Sequence, residues 1–471
     1  MKQYFHCLLA SLLLPSSGLF AQDSTTFAAE DTQATRNVIL IIGDGMDEQQ
    51  ITIARNYLKG AKGRLLLDDM PLRGAVQVLS VADNNKSEAI YVADSANTAT
   101  SMATGEVTSR GRISTSAGRD VDLTTIVELA TASGLRSGLV TTASVTDATP
   151  AAFASHINFR LCENPDSMID VTMNDIYLGD CSEDLKANGG KGSISEQLAN
   201  SSLHVILGGG RKHFSPMTPG GEESVAALAQ RNGFQLLETN VELISAEPDN
   251  RLLGLFSTST MPVRLQGEDG RAAQEPETSL LHSVHRYLGD VTMPAAMTCE
   301  PNPAHAAVPS LKQMTDTALT QLSHKNDAGF FLMVESASID KQAHERKPCG
   351  SIGEVAQLEE ALASALAFAE QHPRTLILVT ADHSQAAQII PVTSLFAAYP
   401  IPLYTPGKLA QVITAEGSVM AINYATTNFF VEEHTGAAVP LFANSEAVGR
   451  VPAFIQQPQI FDIVRDYLGL Q

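Results

Sequence analysis

The chain has 471 residues, 44% of them hydrophobic and 18% charged, and a formal net charge of −21. So acidic a surface repels nucleic-acid phosphates and argues against DNA or RNA as a partner. Past the N-terminal leader no stretch approaches the roughly 20 apolar residues of a membrane span. About 450 residues can bury a large core, and an α/β domain with insertions is the natural reading.

Lys2, the apolar run Leu8 to Leu14 and the small residue Ala21 before Gln22-Asp23 have the layout of a secretory signal peptide over residues 1–21. Residues 22–471 then form one catalytic domain, with the segment around Gln22 to Arg36 expected to lack order. Cys7 leaves with the leader, and Cys162, Cys181, Cys299 and Cys349 remain. An even count in an exported chain points to disulfides and to a periplasmic or secreted protein. Neighbours in sequence, Cys162 with Cys181 and Cys299 with Cys349, are the expected pairs, although three connectivities are open.

The first apolar run, Asn37 to Ile42, ends in Gly43-Asp44-Gly45. The small residues from Ser95 to Gly105 predict a helix beginning near Ser95. Asp94 or Ser95 at a helix start is ordinary capping. The functional reading is a serine hydroxyl at the positive end of a helix dipole, activated by a divalent cation. No G-x-S-x-G elbow supports a Ser-His-Asp hydrolase.

A helical pattern from Thr124 to Ser133 precedes the strand Gly138 to Thr142, which leads to Asp147-Ala148-Thr149-Pro150 and then Arg160. An arginine there is either a surface ion pair of little worth or a two-pronged clamp on phosphate oxygens. The Gly-, Pro- and Asn-rich region from about 162 to 303 reads as insertions around a sheet. Gly208-Gly209-Gly210-Arg211-Lys212 within it reads as a turn, because the P-loop spacing is missing. His282 and His285 lie three apart on an expected helix, and structural roles are the default for them and for the other scattered histidines.

The strand Phe330 to Val334 ends in Glu335, and Asp340 and His344 follow, one helical turn apart. A helix over Gln357 to Gln371 precedes the strand Leu376 to Val379, which runs into Asp382-His383. Nitrogen and oxygen ligands brought together this way suit zinc. Two arrangements are open: one closed four-ligand structural site, or two ions and catalysis. Near-continuous apolar strands alternating with helices predict a doubly wound α/β fold, with a largely parallel central sheet and helices on both faces. Ligands then bind beyond the carboxyl ends of the strands.

Taken together, Ile42-Gly43-Asp44-Gly45-Met46, Asp94-Ser95-Ala96, Asp147 to Pro150 with Arg160, Val334-Glu335 through His344, Thr380 to His383 and Glu433-His434-Thr435-Gly436 closely resemble the bacterial alkaline phosphatase family, in family order across almost the whole mature chain. The resemblance implies a phosphomonoester hydrolase that forms a phosphoserine on Ser95. By the same resemblance Asp340, His344 and His434 hold one zinc, and Asp44, Asp382 and His383 hold a second, completed by Ser95. Asp44 also bridges to a magnesium shared with Thr149 and Glu335, and Arg160 clamps the phosphate. Asp147 and Lys341 match outer positions that bind each other and waters, a pairing that implies magnesium in the third site. Two zincs about 4 Å apart suit an in-line displacement at phosphorus. The implied partners are small phosphomonoesters, with no nucleic acid and no membrane, and the implied assembly is a homodimer.

Two classes of rival fit less well, another two-metal hydrolase on the same sheet and a non-enzymatic binding protein. An arylsulfatase needs C/S-x-P-x-R, and Ser95-Ala96-Asn97-Thr98 lacks both Pro and Arg; a phosphodiesterase does not need a third cation site. An exported zinc- or phosphate-binding protein would have lost Ser95 or Arg160. Asn97-Thr98 departs from the smaller residues common after the nucleophile, and Ile389 to Thr427 matches the pattern least.

Overall fold

The computed structural model describes residues 35–173, 176–285, 287–393 and 406–471. The expected signal peptide, almost all of the segment Gln22–Arg36 and part of Ile389–Thr427 lie outside the described residues. The centre is a ten-stranded sheet built from β1 (Arg36–Gly43), β2 (Leu72–Gln77), β3 (Arg136–Ser144), β4 (Val205–Gly209), β5 (Phe234–Leu237), β6 (Arg251–Leu255), β7 (Gly329–Ser336), β8 (Thr375–Ala381), β9 (Val439–Ala443) and β10 (Phe454–Gln456). Their spatial order is β10-β2-β9-β8-β1-β7-β3-β4-β6-β5. Every neighbouring pair is parallel except the two made by β9.

The middle strands are apolar on both faces because both faces are covered. Val38 to Ile42 of β1, Phe330 to Val334 of β7 and Leu376 to Val379 of β8 are all 1% exposed or less. Each such apolar side chain contributes about 1.5–3 kcal/mol of burial. One group of helices, α1 (Glu48–Lys59), α5 (Leu311–Ser323) and α7 (Pro348–Gln371), packs together over β1, β7 and β8. A second group, α2 (Ser95–Thr104), α3 (Ile126–Ala132), α4 (Ala148–Ala154) and α8 (Gln459–Leu468), packs together over β1, β3 and β7. The doubly wound, largely parallel arrangement expected from the apolar runs is the one observed.

Three features differ from the sequence-based expectation. The stretch 162–303 is not simply insertion, since β4, β5 and β6 extend the sheet on the far side of β3. Strands of four or five residues between Gly- and Pro-rich turns carry too short an apolar run to stand out. Helix α7 begins at Pro348 rather than near Gln357. Gly350 and Gly353 weaken its first turns on intrinsic grounds, but a Cβ at Gly353 would meet the Leu265 backbone nitrogen at 2.8 Å, so glycine permits the helix to press on the strand at Leu265–Gly267. His282 sits on a 3₁₀ turn, Leu280–Ser283, that ends before His285.

Both expected disulfides, Cys162–Cys181 and Cys299–Cys349, are formed. The second joins positions 50 residues apart and fastens Cys299, in the 162–303 region, to the first turn of α7. Closing a loop of that length restrains the unfolded chain by on the order of 4 kcal/mol. Replacing Cys299 and Cys349 with serine is expected to lower unfolding free energy in urea by a few kcal/mol, on the order of that entropy. An unchanged denaturation midpoint would count against it.

Candidate active site

Parallel strands finish on one rim, and the ionisable residues follow from where each strand stops. In register, Ile42 of β1 pairs with Glu335 of β7, and Gly43 pairs with Ala381 of β8. Asp44, Glu335 and Asp382-His383 are therefore delivered side by side. Ser144 ends β3, and the next turn places Asp147 as N-cap of α4 and Thr149 in its first turn. Asp340 and His344 lie on α6 (Ser338–His344), whose one-turn spacing brings His344 Nε2 within 3.2 Å of Asp340 Oδ2.

Two ligand groups face each other. Asp44, Asp382 and His383 form one, and Asp340 and His434, with His383 at their border, form the other. His344 belongs with the second, its Nε2 standing 3.0 Å from His434 Nε2. The His383 and His434 rings stack at 3.6 Å, so the two groups are contiguous.

The imidazoles are oriented by the backbone. His434 Nδ1 pairs with the Ala93 carbonyl at 2.9 Å, His344 Nδ1 with the Glu432 carbonyl, and His383 Nδ1 with the Ser384 carbonyl at 3.4 Å. A protonated Nδ1 at each leaves the Nε2 lone pair turned inward, which is how a metal-ligating histidine is set. Burial pushes His383 down to about 4, so its ring is neutral. At His344 and His434 burial opposes the charged form, but Asp340 outweighs it and raises both, while the two histidines hold Asp340 well below the ordinary carboxylate range.

The buried carboxylates fit cations. Among the described residues Asp44 Oδ1 and Asp382 Oδ2 are buried without a hydrogen-bond partner, with His383 Nε2 standing 3.3 and 3.4 Å away. Burial, with the charges of Asp382, Asp340 and Glu335, pushes Asp44 well above its usual range. Glu335 is pushed to about 8, first by burial and then by Asp147, although it accepts a 2.5 Å hydrogen bond from Thr141 and another from Thr149. Orphaned carboxylate oxygens beside inward-facing imidazole nitrogens are the donor set of divalent metal sites, and the oxygen-only set of Asp44, Thr149 and Glu335 suits a harder cation.

Ser95 is the first residue of α2, 4% exposed, with Oγ 3.2 Å from His383 Nε2. Asp94 caps the helix, accepting from the Asn97 amide. Asn97 Oδ1 in turn accepts from the Asp94 amide at 2.9 Å, and Asn97 Nδ2 donates to the Leu79 carbonyl. The residue that departs from the smaller pattern thus completes a capping box and firms the helix start.

Arg160 is not a loose surface ion. Its Nη1 is 3.2 Å from Asp94 Oδ2 and its Nη2 3.1 Å from Asp147 Oδ1, while Lys341 Nζ bonds the other Asp147 oxygen. Burial opposes the ionised Asp147, yet Lys341 and Arg160 outweigh it and hold the carboxyl far below its usual range. The capping role of Asp94 was legible from sequence; its grip on Arg160 was not, because the partners are 66 residues apart. Thr141 and Gln385, whose Nε2 donates to Asp340 Oδ1 at 2.5 Å, were likewise missed. So was the chain in which Thr435 donates to Ser384 and Ser384 to Asp47, tying the His434 loop to the end of β8. Outside the site, His156 is satisfied structurally by Ser114 and Glu128.

Comparison with known proteins shows the family and the fold. The family model for alkaline phosphatase matches residues 35–438. Alkaline phosphatase of Escherichia coli (strain K12) is 39% identical over 446 residues, spanning 93% of this chain and 86% of that protein. The streptomycin-6-phosphate phosphatase of Streptomyces griseus is 37% identical, spanning 95% and 94%. Among solved structures, alkaline phosphatase from Thermus thermophilus superposes with a TM-score of 0.65 at 20% identity, covering 98% of this chain and 96% of the other. The enzyme from the Antarctic bacterium TAB5 gives 0.63 at 21%, covering 93% and 99%.

Two outcomes are expected. In the metal-free protein Glu335 is raised from an ordinary 4.5 to about 8, so its contribution to stability is full below 4.5 and is lost as pH climbs through about 8. Binding of a divalent cation needs the carboxylate, so uptake below pH 8 releases protons and tightens with rising pH. Calorimetry in buffers of different protonation enthalpy would show this, and heats independent of buffer would contradict it. Gly45 has φ +67°, and a Cβ there would lie 2.8 Å from Gln385 Cγ and 3.0 Å from Asp340 Cβ. Gly45→Ala is therefore expected to cost about 1–3 kcal/mol in strain and to weaken metal binding, as read by thermal unfolding with and without metal.

Proposed function

Because the chain belongs to the alkaline phosphatase family of phosphomonoester hydrolases, we propose that it cleaves small phosphomonoesters through a phosphoserine on Ser95. The observation that carries this reading is the meeting of Ser95 Oγ with His383 Nε2 at 3.2 Å, beside the unpartnered oxygens of Asp44 and Asp382 and the doubly held Arg160.

Asp340, His344 and His434 are the residues to hold one zinc, and Asp44, Asp382, His383 and Ser95 a second. Asp44, Thr149 and Glu335 are those to hold a magnesium, the choice favoured by the Asp147–Lys341 pair. Bound there, the ions supply the positive charge that lowers the pKa of the nucleophile and of water and stabilises the leaving oxygen.

The chain's own residues do the rest. Ser95, at the N-terminal end of α2, presents its oxygen where the helix dipole favours negative charge. Arg160, fixed by Asp94 and Asp147, offers a planar pair of donors to two non-bridging phosphate oxygens. The serine oxygen gives up its proton and attacks phosphorus in line, the P–O bond to the alcohol breaks, and the leaving oxygen departs on the opposite side, taking up a proton to become the alcohol. Water then attacks the phosphoserine from that side, returning the proton to Ser95 and releasing inorganic phosphate. Two inversions leave retained configuration at phosphorus. Lys341 keeps Asp147 ionised and so keeps Arg160 in place.

Export to the periplasm or medium is supported by the two disulfides and the signal-like N-terminus, and a homodimer is proposed by family likeness. Aryl phosphate hydrolysis by protein stripped of metal and refilled with zinc and magnesium tests the assignment. Ser95→Ala is expected to lose more than about 10³-fold in turnover, and acid quenching of the wild type to trap phosphate on the peptide containing Ser95. Undiminished turnover in Ser95→Ala would overturn the phosphoserine route, and refilled wild type without activity would overturn the metal assignment.

A further inference from the structure

Helix α6, which carries Asp340 and His344, ends in a hydrogen-bonding pattern usually completed by glycine. The Lys347 amide donates to the Gln342 carbonyl at 2.8 Å and the Arg346 amide to the Ala343 carbonyl at 2.9 Å. These two bonds define a Schellman ending with Arg346 at the position after the cap. Arg346 accordingly has φ +57°, a left-handed conformation that is unfavourable for a non-glycine residue. A residue held there against that cost calls for a compensating use of its side chain.

The use is visible. Arg346 is only 3% exposed, and its guanidinium meets four acceptors on one loop. Nε donates to Glu432 Oε2 at 2.6 Å, Nη1 to the Phe430 carbonyl at 3.0 Å, and Nη2 to the Phe429 and Thr427 carbonyls at 3.0 and 3.3 Å. Glu432 is fully buried, and its other oxygen accepts from the Thr426 and Thr427 amides and from the Thr426 hydroxyl. The pair therefore folds residues 426–432 around itself. A buried ion pair that uses four of the guanidinium's five donors and both carboxylate oxygens is a rigid device, and removing one partner strands the other.

What this device joins is specific. The Glu432 amide donates to the His344 carbonyl at 2.9 Å, and the Glu432 carbonyl accepts from His344 Nδ1. Two residues beyond Glu432 comes His434, whose Nε2 is 3.0 Å from His344 Nε2. Arg346 and Glu432 thus link two histidines 90 residues apart in the chain, beside the Ala93 carbonyl and the Thr435–Ser384–Asp47 chain that also hold His434. The other ligand group, Asp44, Asp382 and His383, stands on the ends of β1 and β8 and meets this set through the stack of His383 on His434.

We infer that Arg346 and Glu432 are positioning residues that preassemble the Asp340–His344–His434 ligand set, so that this ion is held or lost separately from the one at Asp44–Asp382–His383. The inference rests on the ligand sets assigned above. Lysine at position 346 retains the charge but not the planar fork that reaches four acceptors, so it restores the arrangement only in part.

The test is release of zinc from fully loaded protein across a graded chelator series, with zinc per chain measured by elemental analysis and the melting temperature of the metal-free protein measured alongside. In Arg346→Ala one zinc per chain is expected to leave at about 10–100-fold weaker chelation than in the wild type, while the second leaves where the wild-type ion does. Arg346→Lys falls between them, and excess zinc recovers turnover. Should Arg346→Ala fail to fold, Arg346→Lys and Glu432→Gln carry the same comparison. Release of both ions in parallel, or a wild-type release curve in all variants, would overturn the inference. A wild type that holds no zinc would overturn the ligand assignment itself, and this inference with it.

Discussion

Six carboxylates, Asp44, Asp94, Asp147, Glu335, Asp340 and Asp382, crowd one rim of the sheet against two permanent cations, Arg160 and Lys341. Like charges at such separations in a buried place either neutralise by taking up protons or find counter-charge. Both responses are present. Where a fixed cation is at hand the carboxyl is held ionised, as at Asp94 and Asp147. Where burial and neighbouring carboxylates outweigh the nearby Lys341, they push Asp44 and Glu335 up. The site is thus divided by electrostatics into a part that binds an anion through Arg160 and a part built to take divalent cations.

The same division removes the difficulty posed by a formal net charge of −21 on an enzyme whose substrates are anions. Long-range repulsion is screened beyond about 10 Å at ordinary salt, and the pocket potential is set locally. Arg160 is oriented by two carboxylates whose own charge it offsets, so the guanidinium is fixed before substrate arrives and loses little freedom on binding. Divalent cations on the remaining carboxylates would make the pocket net positive without altering the acidic exterior.

Rigidity in the site comes from two sources. The strand ends deliver Asp44, Glu335, Asp382 and His383 through a hydrogen-bonded register that cannot slip without exposing an apolar strand. His344, His434 and Arg160 stand on a short helix and on loops, and are fixed instead by side-chain networks: Glu432 with Arg346, Thr435 with Ser384 and Asp47, and Asp94 with Asp147. A 3.6 Å stack of His383 on His434 joins the two systems.

Much of this was legible in the chain itself. Apolar runs ending in Asp44, Glu335 and Asp382-His383 fixed strand ends, and the one-turn spacing of Asp340 and His344 fixed a shared helical face, because both signals are local and periodic. The disulfide partners and the start of α2 followed from equally local rules. Short range is also where such reasoning stopped. Three brief strands hidden among turns, the first turns of α7 and the grip of Asp94 on Arg160 depend on what packs or pairs across tens to hundreds of residues. The clearest case is Arg346, an unremarked arginine after a helix in sequence. Only the tertiary structure gives it a role, by burying it against Glu432, 86 positions away, where a charge must be paired to be tolerated.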